Sequence, residues 1–132
     1  MNHLAKTLLA VALLHGPIAQ AEYVHFEGTW RVKPGTTNDV VPAERLPIVL
    51  LAMNRASQSA EDGNAGTAIK EWSIIGEANA GTEAEAVAIL ERARLYAARH
   101  EFETATELID DLYARHSSFA GFGDAVKLQF EI

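Results

Sequence analysis

Apolar positions in this chain change period several times, and each change predicts an element. Leu8 to Leu14 is a continuous apolar run with no polar face. Tyr23 to Lys33 (YVHFEGTWRVK) alternates, with Val24, Phe26, Trp30 and Val32 on one side and Tyr23, His25, Glu27, Thr29, Arg31 and Lys33 on the other. A period of two with aromatic and β-branched residues predicts a half-buried strand, stopped by Pro34 and Gly35. Thr36 to Pro42 reads as a loop. A helix is expected from Pro47 to Ser57, since proline is tolerated in a first turn. Ser59 to Gly66 (SAEDGNAG) is a cluster of turn residues.

Ala65, Ala68, Ile69, Trp72, Ile75 and Gly76 recur at three- and four-residue steps and predict a second helix with one apolar stripe. Asn64 or Thr67 is its expected cap, and Asn79 to Gly81 its end. Thr82 followed by Glu85 is a capping box. Behind it Ala84 to Arg99 is rich in strong helix formers. A break at His100–Glu101 leads to a further helix with the stripe Phe102, Ala105, Leu108, Ile109, Leu112 and Tyr113. His116 to Gly123 reads as a loop. The last residues, Ala125 to Ile132 (AVKLQFEI), alternate again. That alternation favours a strand over the start of another helix, which a repeat array would require. The expected fold is therefore mainly α (α+β), helical hairpins with short strands at both ends of the domain.

The opening residues set the expected location. Lys6 precedes the apolar run, Gly16 and Pro17 break it, and Ala19 and Ala21 sit at the small positions of an A-x-A site. This is the pattern of a signal peptide over residues 1–21, cleaved after Ala21. The run is far shorter than the ~20 residues of a membrane span. A periplasmic or secreted protein is expected, with one small domain over 22–132. The chain has no cysteine, which excludes a disulfide framework and a lipid-modified N-terminal cysteine. No membrane anchor is expected after cleavage. The formal charge of −7 disfavours nucleic acid as a partner.

Chemistry is sparse. There is no P-loop, dinucleotide fingerprint, G-x-S-x-G or H-E-x-x-H motif, so no cofactor and no enzymatic activity are expected. His100, Glu103 and Glu107 are weak metal candidates by spacing, which helical geometry would need to bring together. Asp110 and Asp111 diverge by about 100° on a helix, poor geometry for a shared proton. His25 and Glu27 share the polar side of the first strand. Trp30 and Trp72 are read as core residues.

Residues 86–119, within the hairpin 82–119, resemble a single tetratricopeptide repeat, a helix–turn–helix unit of about 34 residues. Ile89 stands at the first large apolar position, Ala93 and Ala105 at the small crossing positions, Tyr96 and Phe102 at the aromatic ones. Arg92, His100, Leu112 and Ser117 depart from the pattern. Setting Ala68, Trp72 and Ile75 against Ala105, Ile109 and Leu112 makes Pro47 to Asn79 a degenerate copy. The resemblance implies a concave binding surface rather than a catalyst, with Arg92, Tyr96 and Arg99 as partner-binding candidates. An exported interaction module that binds a protein or peptide is the first functional expectation. The alternative is a periplasmic inhibitor or immunity-type protein that blocks an enzyme, and a metal-binding or catalytic protein comes third.

Overall fold

The computed structural model describes residues 21–36 and 43–132. The expected signal segment, apart from Ala21, lies outside the described residues, as does most of the loop at 36–42. Ala21 itself is fully buried at the edge of the core.

The first strand proves to be two. β1 (Tyr23–Phe26) and β2 (Thr29–Val32) pair antiparallel, with Tyr23 opposite Val32 and His25 opposite Trp30. Glu27 (φ 51°) and Gly28 (φ 79°) form the two-residue connection. Two successive positive φ values are the signature of a type I′ turn, whose twist matches that of the strands. This turn corrects the expected sidedness. Across a two-residue hairpin, facing residues have opposite parity, so an inward odd residue on β1 faces an inward even residue on β2. Tyr23 and Trp30 are buried together, whereas Val24 and Phe26 are exposed.

Four helices follow as two antiparallel hairpins: α1 (Leu46–Glu61) with α2 (Ala65–Ala78), and α3 (Glu83–Ala98) with α4 (Phe102–Arg115). α1 starts a residue earlier than expected, with Pro47 in its first turn, and runs further, through Ser59 and Ala60. It ends in a Schellman motif. Gly63 (φ 84°) donates to the Ala60 carbonyl and Asn64 donates to Ser59. Asn64 occupies the α2 N-cap position without a side-chain cap bond. Thr82 caps α3 as expected, the Glu85 amide donating to Thr82 Oγ1, but Glu85 Oε1 accepts from the Gly81 amide, because the Thr82 amide donates to the Asn79 carbonyl. α3 ends in the same motif as α1. His100 (φ 62°) donates to Ala97 and Glu101 donates to Tyr96.

The two hairpins are translated copies. Adding 37 to the bounds of α1 gives those of α3, and adding 37 to the bounds of α2 gives those of α4. The same step carries Gly63 onto His100, and the fully buried Ala56 and Ala68 onto the fully buried Ala93 and Ala105. Small residues at these points let the helix axes approach closely. Trp72, Met53, Ile109 and Leu112 fill the core between them.

The C-terminal strand is corrected to a helix, α5 (Phe122–Glu131). Ala125 and Leu128 are buried and Ile132 packs against the core, a three-then-four spacing. Phe130, inward-facing in the strand reading, is 87% exposed. Terminal strands therefore do not close the fold. The β-hairpin lies across the first helices instead: β2 packs on α1 and β1 on α3. The Asn54 side chain of α1 accepts from the Trp30 amide at 2.7 Å and donates to its carbonyl, and Trp30 Nε1 donates to Ser57 Oγ at 2.8 Å. The Trp30 ring meets Trp72 edge-on at 5.7 Å.

Candidate functional site

A cleft of about 640 Å³ lies between β1, α3 and the α4–α5 connection. Val87 and Leu90 of α3 form its floor, with Trp30 and Phe119 as apolar walls. Charged groups sit around it in two ion pairs, Glu22 with Lys33 and Glu91 with Arg94, both at 3.3 Å. Burial raises the Glu91 carboxyl above its ordinary range, against the pull of Arg94 and His25, and Asp124 adds to the rise.

Behind the cleft wall two polar atoms are sealed from solvent. The Tyr23 hydroxyl and Glu83 Oε2 are buried without a hydrogen-bond partner among the described residues. Burial pushes the Tyr23 phenol up, and the nearby Glu83 charge pushes it further. The Glu83 carboxyl is likewise raised, chiefly by burial, against the pull of the Ala120 backbone. A buried polar group without a partner costs about 1–3 kcal/mol, so these two atoms are a local cost to the fold and not contacts open to the cleft.

The strand edges differ. The short loop makes Phe26–Thr29 a hydrogen-bonded pair, and the Lys33 amide bond to the Glu22 carbonyl at 2.7 Å fixes the same phase at the other end. Tyr23 and His25 of β1, like Trp30 and Val32 of β2, therefore turn their backbone groups away from the partner strand. On β2 the Asn54 side chain fills the Trp30 position. On β1 the Tyr23 and His25 edge groups have no backbone partner among the described residues, and both residues line the cleft.

The candidates expected from the sequence fall elsewhere. Arg92 is half-buried with its Nε unpartnered among the described residues, Tyr96 is half-buried, and Arg99 is exposed and paired with Glu101 at 3.0 Å. They share a face of α3 turned about 150° from the Val87–Leu90–Glu91–Arg94 face that lines the cleft. Among the described residues no three His, Asp or Glu side chains form a metal-holding group, so His100, Glu103 and Glu107 are not brought together. His100 sits in the α3–α4 turn and packs edge-on against Phe102. No helix among the described residues is long and apolar enough to cross a membrane.

Two features escaped the sequence reading. Tyr23, the buried cleft residue, stood on the wrong side of an unbroken strand; the Glu–Gly pair at 27–28 was the available turn signal. Glu85 also does more than cap α3. Its carboxylate meets His116 Nε2 at 2.7 Å and Arg115 at 3.4 Å, tying the start of α3 to the end of α4. Comparison with protein-family models, with curated proteins and with solved structures finds no match.

Proposed function

We propose that this protein is an exported interaction module that binds a protein or peptide partner on a tetratricopeptide-like helical scaffold. The observation that carries the reading is the 37-residue translation relating the two helical hairpins, turn for turn and small residue for small residue. Stacked units of this kind hold out extended surfaces, not reacting groups. α5 begins at Phe122, two residues beyond the position that one more 37-residue step from the start of α3 gives. The β-hairpin covers the first helices of both units, so the recognition surface is the cleft it makes with α3. This moves the binding site from Arg92, Tyr96 and Arg99 to the other side of the same helix.

The test is capture of a partner from the exported fraction, followed by hydrogen-exchange footprinting of the complex. Protection is expected at Tyr23–His25 and along Val87–Arg94. A footprint on the far side of α3, or none, refutes the reading. Export is tested by N-terminal sequencing of the same sample. A mature chain beginning at Glu22 supports it, and an intact Met1 removes it.

A further inference from the structure

We propose that the outer face of α1 seats a second copy of this chain, the two α1 helices packing antiparallel about a two-fold axis level with the midpoint of Ile48 and Leu51.

The face is open where its counterpart in the second unit is sealed. Leu51 and Ala88 stand one 37-residue step apart. Ala88 is buried against α2, where a Cβ on Gly76 would lie 3.6 Å from that of Ala88. Leu51 is 60% exposed, and Ile48 beside it is 66% exposed although its own counterpart, Glu85, is buried. On α2 the exposed Ile74 widens the apolar patch, beside a groove that it lines with Ala52 and Ile75. The chain just ahead supplies no counterpart of α2, since six residues lie between Thr36 and Ala43, against the 14 of α2. Large aliphatic side chains exposed together on one helix face favour burial against another apolar surface.

The spacing of charge identifies that surface as the same face of another copy. Glu44, in the 3₁₀ turn that leads into α1, and Ile48, Leu51 and Arg55 recur at steps of four, three and four residues, one stripe along the helix. The steps read the same from either end. A two-fold axis level with the centre of the stripe therefore sets Ile48 against the partner's Leu51 and Glu44 against the partner's Arg55, each twice. Glu44 and Arg55 are exposed, and neither has an ion-pair partner among the described residues. A parallel pair of helices would set each charge beside its own kind. Asn54 and Ser57, which hold the β-hairpin, point roughly 90–150° around α1 from the stripe, so the seam leaves the cleft open. The dimer does not depend on the binding-module reading. Where both hold, it carries two clefts, and a partner with two recognition segments is held by both.

Sedimentation velocity of the purified protein from about 1 to 300 µM tests this. One helix-pair seam lies at the small end of stable interfaces, so half-dimerisation is expected at roughly 10–100 µM. Glu44→Arg and Arg55→Glu each turn both charge pairs of the seam into like pairs, and each alone is expected to weaken the dimer at least about tenfold. Mixed in equal amounts, the two variants are expected to associate at least as tightly as wild type, because every charge then faces its opposite. Leu51→Ser is expected to leave a monomer, and if that variant melts early, Ile48→Ser carries the same comparison. A monomer at about 300 µM overturns the proposal, including one whose stripe is covered by residues 1–20 or by a captured partner. A dimer indifferent to the serine variants, or charge variants that mixing does not rescue, overturns the two-fold seam. A monomer that still shows the cleft footprint leaves the binding-module reading standing.

Discussion

Glu85 offers the sharpest test of how the two halves of the second helical hairpin are held. Its carboxylate is about 10% exposed and joins the Gly81 amide, His116 and Arg115. A hydrogen bond to a charged group contributes about 1.5–3 kcal/mol, and its loss leaves His116, itself 11% exposed, without its carboxylate. Arg115 is half-exposed, so that pair adds less than about 1 kcal/mol. Glu85→Ala should therefore cost about 3 kcal/mol, or roughly 10–20 °C in Tm for a domain of this size. Glu85→Gln keeps an acceptor for Gly81 and should cost about 1 kcal/mol at neutral pH. Burial pushes the Glu85 carboxyl upward, but the Gly81 amide, His116 and Arg115 outweigh it and hold it below 4.5. A depressed carboxylate contributes its stability above the unfolded-state value and loses it as pH falls through the folded value. The gap between wild type and Glu85→Gln should thus be full at pH 6 and shrink below about pH 4.5. Urea unfolding followed by far-UV circular dichroism at pH 6, 4.5 and 3 measures it. A cost for Glu85→Ala under about 1 kcal/mol, or a glutamine gap that does not change with pH, refutes the reasoning.

Other positions give simpler tests. Asn54→Ala removes both bonds to the Trp30 backbone and should cost about 2 kcal/mol by urea unfolding, with Trp30 amide exchange accelerated. An unchanged exchange rate would mean that the hairpin is held by other contacts. His100→Gly relieves a left-handed non-glycine residue at the place where the first unit has Gly63, and should raise stability by about 0.5 kcal/mol despite the greater freedom of the unfolded chain. A drop in Tm would show that the contact with Phe102 matters more. Gly121→Ala sets a Cβ 2.5 Å from the Phe119 ring, so the ring must move, at about 1–3 kcal/mol and with altered cleft affinity. A neutral Tm and unchanged binding would count against the tight packing there.

The helical scaffold was legible because its stripes are long and its punctuation is local. Ala68–Trp72–Ile75 and Ala105–Ile109–Leu112 carry a helical period, and Thr82 with Glu85 marks a start. The Ala93 and Ala105 crossing positions, named from the resemblance, are both fully buried. Short segments were less legible. In the ten residues of α5, Val126, Leu128 and Phe130 fit a period of two, while Ala125, Leu128 and Ile132 fit a helix. Only the packing surface left by α4 decides between them. The hairpin failed for a related reason: one turn at 27–28 inverts the parity of everything after it. The cleft was illegible because Tyr23, Val87 and Phe119 are distant in sequence, and only tertiary packing brings β1 over α3.

The hairpin also alters the mechanics of the molecule. A stack of helical units touching only their neighbours behaves as a spring, its curvature free to breathe. Here β2 is pinned to α1 while β1 rests on α3, so the strand pair braces consecutive units across their seam. Opening the stack would have to lift β1 off α3, shear the ladder or pull Trp30 off Trp72. The hairpin thus stiffens the scaffold, and the cleft wall it forms keeps its spacing from α3 before any partner arrives.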